Sequence, residues 1–198
     1  MKNLFFPFLF CLMLFPCSMR AQEKAAVKPS EKLRQALLVI DIQNAYLPHM
    51  SEQDKTTALE VIKKVVMTFH RCKLPVIRIY HQDLEEGPSE NSEEFKFPAS
   101  VEVSESDPKV IKHYPSAFTK TDLDKMLKEM NVDTVYLCGL SATACVLATY
   151  WGAIDKQYEA FMVKGGLISS DPKRTAFIES ICKSVSNSTM LYFLKLKD

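Results

Sequence analysis

Three residues that could together transfer an acyl group to water stand near the ends of predicted strands. Asp41 directly follows the first apolar run of the domain, Lys112 ends the third, and Cys145 begins the helix after the fourth. In an open α/β sheet, ligands bind outside the carboxyl ends of the strands, so we expect these side chains to converge at one edge. Taken singly, such an aspartate is commonly a turn residue, such a lysine a solvated charge and such a cysteine part of the core.

The chemistry that this set supports is nucleophilic catalysis by a thiol. The Cys145 thiol reacts as the thiolate, and we expect a helix N-terminus and a neighbouring ammonium to favour that form. The Asp41 carboxylate can accept the thiol proton and later deliver it to a leaving group, while Lys112 holds both anions in place. Backbone N–H groups of the turn before the helix can stabilise an oxyanion, and one such donor is typically worth about 2.7–4 kcal/mol.

Strands alternate with helices along the chain, and this pattern predicts the sheet that positions the three residues. Short apolar runs predict six strands, at 36–40, 76–80, 110–112, 134–137, 158–163 and 190–194. Amphipathic spacing predicts four helices between them, at 58–69, 123–130, 143–155 and 172–185, the last with Phe177, Ile178, Ile181, Cys182 and Val185 facing inward. Because each parallel connection needs a crossover, we expect a mostly parallel sheet covered on both faces.

The segment at 81–109 interrupts this alternation with a long connection that is rich in acids. Its carboxylates belong to Asp83, Glu85, Glu86, Glu90, Glu93 and Glu94. A loop of this length in a small domain is usually a lid or a binding loop, and a disordered acidic segment is the alternative.

Residues 1–21 have the composition of a cleavable secretory signal peptide. A short basic start is followed by an unbroken apolar run at 4–15, which is too short to span a bilayer, and the residues after it fit cleavage after Ala21. We therefore expect an exported protein, periplasmic or secreted, whose domain is preceded by a charged, flexible linker at 22–34. A membrane anchor and a lipid anchor at Cys17 are the alternatives.

Charge, glycine content and cysteine spacing exclude several classes of function. The leader carries two bases and no acid, so the net charge of +1 for the whole chain becomes −1 for the rest. We therefore predict no binding to nucleic acid, and none to a membrane after signal cleavage. The five glycines form neither a dinucleotide fingerprint nor a phosphate-binding loop. Four cysteines beyond the leader include no C-x-x-C pair, and we expect free thiols at Cys72, Cys138, Cys145 and Cys182.

Three stretches of the chain resemble the isochorismatase-like cysteine hydrolase family: LLVIDIQN at 37–44, Lys112 with SAF at 116–118, and CGLSATACV at 138–146. The resemblance covers essentially the whole predicted domain, at 35–198. It implies a Rossmann-like three-layer α/β/α sandwich around about six strands, with Asp41, Lys112 and Cys145 as the catalytic triad. It also implies a cis peptide bond before Ser141, so that the backbone amides of Ser141 and Cys145 form an oxyanion hole.

For the reaction, the resemblance implies hydrolysis of a small amide or related C–N bond through a thioester, without a cofactor. Isochorismatases proper, which cleave a vinyl ether, lack the cysteine, so Cys145 favours amide hydrolysis. Nicotinamidases carry a metal-binding D-x-H cluster after the second strand, where this chain reads Tyr-His-Gln-Asp-Leu at 80–84. We therefore predict no bound metal, with His81, Tyr46 and Phe118 lining a substrate pocket. A capping role or metal ligation by His81 is the alternative.

Two other functions are compatible with the same residues. A catalytically silent member of the fold would bind a small ligand or a partner protein. A thiol redox protein would need a resolving cysteine near Cys145, and the nearest in sequence, Cys138, is expected to point into the sheet. The partners that we expect are a small-molecule substrate and further copies of the chain in a homo-oligomer.

Overall fold

A six-stranded parallel sheet forms the centre of the fold in the computed structural model, which describes residues 34–194. The predicted signal peptide and residues 22–33 of the predicted linker lie outside the described residues. In chain order, the helices and strands are β1 Gln35–Ile40, α1 Glu52–Arg71, β2 Val76–His81, β3 Lys109–Lys112, α2 Leu123–Glu129, β4 Thr134–Leu140, α3 Leu147–Asp155, β5 Glu159–Ile168, α4 Pro172–Ile181, β6 Ser184–Val185 and α5 Asn187–Phe193. Within the described range, no helix combines the length and the apolar character needed to cross a membrane.

The strand order is β3-β2-β1-β4-β5-β6, and every neighbouring pair is parallel. All six residues of β1 are buried, as expected of a central strand covered on both faces. One apolar core lies between the sheet and helices α1 and α5, and a second lies between the opposite face and helices α2, α3 and α4. The predicted α/β/α sandwich with about six strands is therefore confirmed.

The predicted strand at 190–194 is wrong, because these residues lie in α5 and directly after it. The sixth strand is instead the two-residue β6, and α4 ends at Ile181. A short apolar run can form either a strand or a buried helix, and periodicity alone does not separate the two. Here the Ser186 side chain accepts a hydrogen bond from the Thr189 N–H, which caps α5 and favours the helix.

The inward face predicted for the last helix is also partly wrong. Ile178 and Cys182 are buried, but Phe177 and Ile181 are 60% and 53% exposed. The helix ends before the predicted 185, so Val185 is buried as a residue of β6 instead. Within α4 the buried residues are Thr175 and Ile178, so its buried stripe is narrower than the apolar pattern of the sequence suggests.

The long connection between β2 and β3 is packed against the sheet, which excludes the disordered alternative. Tyr80 stacks on Phe95 and Phe97, with ring centroids 5.0 and 4.3 Å apart. The Asn44 and Ala45 N–H groups donate to carbonyl oxygens of this connection at 2.9 Å. These bonds hold the connection beside the segment that follows Asp41 and therefore beside the carboxyl edge of the sheet.

Gly139 allows β4 to approach β1 closely at that same edge. Its φ is +117°, in the region that favours glycine, and a Cβ atom there would overlap the carbonyl oxygen of its partner Ile40. The pairing of β4 with β5 shifts register between Leu137 and Gly139, as at a β-bulge. Bulges beside active sites commonly redirect the chain, and this one precedes the turn that leads to Cys145.

Substituting Gly139 with alanine should destabilise the protein more than the same substitution at Gly165. Both glycines have a positive φ, but a Cβ at Gly165 would meet only Val61 Cγ2 at 3.5 Å. Left-handed backbone alone should lower the free energy of unfolding by about 1–2 kcal/mol at Gly165, and the backbone overlap adds to that loss at Gly139. Urea unfolding of both variants measures the difference, and equal losses would show that the overlap is unimportant.

Candidate active site

Asp41, Lys112 and Cys145 lie together at the carboxyl edge of the sheet, as predicted. Asp41 follows β1, Lys112 is the last residue of β3, and Cys145 lies in a π-helical turn between β4 and α3. Lys112 Nζ is 2.7 Å from Asp41 Oδ2, and both residues are at least 99% buried. A carboxylate and an ammonium at this depth neutralise each other, since either charge alone would be strongly unfavourable.

The backbone at Asp41 turns the chain out of the sheet. Its φ is +53°, a left-handed conformation that is uncommon outside glycine, asparagine and aspartate. The Asp41 N–H still donates to the carbonyl oxygen of Ile79 at 2.9 Å, so β1 remains paired with β2 up to this residue. A strained backbone held by the surrounding structure is typical of functional sites, and here it places the carboxylate between Lys112 and Cys145.

The Asp41 carboxyl has the properties of a general base. Burial raises the pKa of Asp41 to about 6, although the neighbouring Lys112 ammonium, and to a lesser extent the nearby Cys145 thiol, act to lower it. Neither carboxylate oxygen has a well-aligned hydrogen-bond partner among the described residues, so the 2.7 Å contact with Lys112 is an ion pair. At neutral pH the group is mostly ionised and retains the capacity to accept a proton.

The surroundings of the Cys145 thiol favour its protonated form in the free protein, against the expected effect of the neighbouring ammonium. Burial, and then the negative charge of Asp41, raise the pKa of the thiol to about 11, outweighing the Lys112 ammonium that lowers it. Such a thiol becomes nucleophilic when its proton passes to a neighbouring base, and Asp41 is placed to accept it.

The turn that carries Cys145 has the cis peptide bond that the family resemblance implies, between Leu140 and Ser141. The carbonyl oxygen of Ser141 accepts hydrogen bonds from the amides of Ala144 and Val146, at 3.0 and 3.2 Å, and not from that of Cys145. π-Helical turns of this kind occur frequently at functional sites. The Ser141 and Cys145 amides thus lie in one turn beside the thiol, where the family resemblance implies an oxyanion hole.

The His81 side chain lies beside the Asp41–Lys112 ion pair and contacts Lys112. Burial, and then the Lys112 charge, lower the pKa of His81 to about 4, so the imidazole is neutral at pH 7. Its Nδ1 lies 3.2 Å from Lys112 Nζ, and because an ammonium only donates, Nδ1 accepts and Nε2 carries the proton. His81 therefore lies beside the ion pair, and its role in lining a substrate pocket remains a prediction.

Gln43 is a site residue that the sequence patterns above do not single out. Its fully buried side chain accepts from the His81 N–H at 2.7 Å and donates to the His81 carbonyl oxygen at 3.0 Å. The Tyr46 hydroxyl donates to the same carbonyl oxygen at 3.3 Å. These bonds fix the backbone of His81, and the spacing of Gln43 two residues after Asp41 is the signal that marks it.

Tyr46 and Phe118, the other two predicted pocket residues, have different surroundings. Tyr46 is half-buried beside His81, and burial together with the charges of Asp41, Asp83 and Cys145 raises the pKa of its hydroxyl to about 12. Phe118 is 9% exposed and stacks on Tyr158 within the core on the α3 side. The structure therefore brings Tyr46 beside His81, whereas the contacts of Phe118 are with the core.

A metal ion at this site would compete with Lys112. Asp41, His81 and Cys145 offer one ligand atom each within 4.8 Å of one another, a spacing that would suit a thiophilic divalent cation. The Lys112 ammonium, however, contacts the carboxylate at 2.7 Å and the imidazole at 3.2 Å. Its charge and position oppose a cation, so the donor set does not fit a resident metal and we assign none a role.

The remaining described cysteines are free thiols, as predicted. Cys138 is completely buried, and burial raises its pKa. Its Sγ points to the carbonyl oxygen of Leu38 at 3.6 Å, within the sheet. Burial also raises the pKa of Cys182, on the inward side of the chain after α4. Neither thiol has the ionic surroundings of Cys145.

Comparison with solved structures agrees with the fold described above. The N-carbamoylsarcosine amidase of Thermoplasma acidophilum superposes with a TM-score of 0.67 at 24% identity, over 78% of this chain and 95% of the amidase. The pyrazinamidase of Pyrococcus horikoshii, solved in complex with zinc, gives a TM-score of 0.67 at 22% identity, over 77% of this chain and 99% of that one. Both likenesses concern the fold.

Sequence comparison establishes the family. The isochorismatase family protein YddQ of Bacillus subtilis, itself uncharacterized, is 32% identical over 136 residues, which cover 65% of this chain and 74% of YddQ. The sequence profile of the isochorismatase domain matches residues 35–183. The chain therefore belongs to the isochorismatase family and is an isochorismatase-like hydrolase.

Proposed function

We propose that this protein hydrolyses a small amide, or a related C–N bond, through a thioester on Cys145. The observation that carries the proposal is the buried Asp41 carboxylate, ion-paired with Lys112 at 2.7 Å and within 4.8 Å of the Cys145 thiol. Two structural neighbours bear the names of amidases, which supports this class of reaction. The substrate would be a small molecule, since the site lies at a sheet edge partly covered by the β2–β3 connection.

The first step forms the thioester. Cys145 Sγ attacks the carbonyl carbon of the amide while its proton passes to Asp41, which raises the nucleophilicity of sulfur only when it is needed. The carbonyl oxygen becomes an oxyanion, to which the Ser141 and Cys145 amides would donate. When the C–N bond breaks, the nitrogen leaves with the proton held by Asp41, and the acyl group remains on sulfur.

The second step returns the free enzyme. A water molecule gives a proton to Asp41 and attacks the thioester carbonyl, again producing an oxyanion. Collapse releases the carboxylic acid, and the Cys145 sulfur regains the proton from Asp41. Lys112 keeps its charge throughout and stabilises the carboxylate form of Asp41, with His81 as its second acceptor. No electron transfer is required, so the cycle balances with water as the only co-reactant.

A screen of small amides tests this proposal against a silent, ligand-binding function. The expected result is release of ammonia or amine from at least one amide, with an acyl adduct on Cys145 detected by mass spectrometry after acid quenching. The shift in Tm caused by each compound measures its binding, which is then compared with its hydrolysis. Ligands that stabilise the protein but are never hydrolysed, with no acyl adduct, would favour the binding function instead.

The pH dependence of kcat/KM should show a rising limb near pH 6. Asp41 must be ionised to accept the thiol proton, and burial raises its pKa to about 6. Activity therefore falls as pH drops through this value and is level through neutral pH, because the Cys145 thiol, with a pKa of about 11, does not titrate there. Steady-state rates across this range measure the limb. A flat profile in folded protein would contradict Asp41 as the base.

A further inference from the structure

Thr149 connects the segment after Lys112 to the helix that carries the nucleophile. Its side chain is fully buried, and its Oγ1 donates to the carbonyl oxygen of Cys145 at 2.7 Å. Thr149 Oγ1 in turn accepts a hydrogen bond from the Ala117 N–H at 3.0 Å. Ala117 is also fully buried, so its N–H has no access to water in place of the Thr149 hydroxyl, whereas the bond to Cys145 is partly buried.

The helix that carries Thr149 packs closely against the segment 116–118. Cys145, Thr149 and Gly152 follow one another at helical spacings of four and three, so they share one face of the helix. A Cβ at Gly152 would lie 2.6 Å from Ser116 Oγ and 3.1 Å from Phe118 Cδ2. The absence of a side chain at Gly152 thus lets the segment 116–118 pack directly on the face that carries the nucleophile.

A hydroxyl that bonds the carbonyl four residues earlier is common in helices and by itself indicates no function. Thr68 in α1 makes the same bond, to the Lys64 carbonyl oxygen at 2.8 Å, and it is far from the site. Thr149 differs in that its acceptor belongs to the nucleophile and its second partner belongs to the segment after Lys112. The bond fixes the Cys145 peptide unit relative to that segment.

We infer that Thr149 is a positioning residue, which holds the Cys145 backbone in register with the Lys112 segment for acylation. The inference rests on the proposed function, since it concerns attack by the Cys145 thiol. A shift of the Cys145 backbone displaces the sulfur from Asp41 and turns its amide away from the developing oxyanion. Displacements of about 1 Å can lower rates by about 10²-fold.

The test uses p-nitrophenyl acetate, an activated acyl donor, and the rate constant for acylation. Thr149→Val keeps the shape but removes both hydrogen bonds, and it should lower this constant by about 10- to 100-fold with little change in apparent KM. Thr149→Ser keeps the hydroxyl and should restore most of the rate. Thr68→Val, which removes the matched bond in α1, should leave the rate unchanged. Urea unfolding establishes that each variant is folded under the assay conditions.

A purely structural role for Thr149 predicts a different result. In that case, Thr149→Val would unfold at lower urea but acylate at the wild-type rate while folded, and the inference would be overturned. If Thr149→Val does not fold, the acylation rate of Gly152→Ala is measured instead. The added methyl displaces segment 116–118 without removing a polar group. A wild-type rate in that variant overturns the inference, and a reduced rate supports it. Wild-type turnover no faster than that of Cys145→Ala would overturn the proposed function and, with it, this inference.

Discussion

Replacing Cys145 with alanine should abolish amide hydrolysis, with a loss on the order of 10⁴- to 10⁶-fold in kcat. The sulfur is the atom that forms the thioester, so its removal eliminates the covalent route rather than weakening it. Serine should not restore activity, because burial gives Asp41 a pKa of about 6, which makes it far too weak a base to activate an alcohol. Rates of ammonia or amine release from an amide found in the screen measure both variants.

Cys72→Ala is the matched control for this experiment. Cys72 is a free, half-buried thiol at the end of α1, without the ionic partners of Cys145. Its removal should leave kcat near the wild-type value, and circular dichroism should show that all variants retain the fold. Wild-type turnover by folded Cys145→Ala would remove Cys145 from the mechanism and, with it, the thioester.

The second large effect is expected from Lys112→Met, which should lose both activity and stability. The methionine fills a similar volume but leaves the 99% buried Asp41 without its counter-charge. Breaking a buried ion pair in this way typically lowers the free energy of unfolding by about 3–5 kcal/mol. Turnover falls as well, because the pKa of Asp41 rises further and the carboxyl is then protonated at neutral pH, when it should act as a base.

The sign of the pH effect on stability distinguishes this explanation from simple loss of packing. A carboxyl whose pKa in the folded protein is raised contributes stability at low pH and loses it as pH rises through the raised pKa. The deficit of Lys112→Met against wild type should therefore shrink as pH falls from neutral toward acid. Asp41→Asn combined with Lys112→Met should recover stability at neutral pH but not activity. A deficit independent of pH would indicate a packing defect.

The sequence was sufficient to place Asp41, Lys112 and Cys145 at one edge because each lies at or after the carboxyl end of a strand. Three apolar runs of the right length placed Asp41, Lys112 and Cys145 at the same edge, and parallel order brought them together. The prediction of a strand at 190–194 was wrong because a short apolar run is compatible with both a strand and a helix. The hydrogen bond from the Thr189 N–H to the Ser186 side chain caps this segment as a helix, and the hydrophobic pattern does not reveal that bond.

The chemistry of the site was less accessible from sequence than its location. The protonation of Cys145 depends on how completely the thiol is buried and on which charge lies nearer, and neither is encoded in spacing. The same holds for Thr149, whose importance arises from a contact with Ala117, thirty-two residues away in the chain. Such bonds appear only once the helix and the segment after β3 are placed side by side.

The Gln43 side chain keeps the end of β2 hydrogen-bonded where β1 leaves the sheet. After Asp41 the main chain of β1 turns away, so a backbone partner for the last residue of β2 is missing. A primary amide presents the same donor and acceptor as a peptide group, and the Gln43 side chain supplies both to His81, at 3.0 and 2.7 Å. A side chain thus stands in for one residue of a strand. The freed main chain carries the carboxylate into the site while the imidazole stays anchored, so the amide at position 43 serves the geometry of the sheet rather than the chemistry.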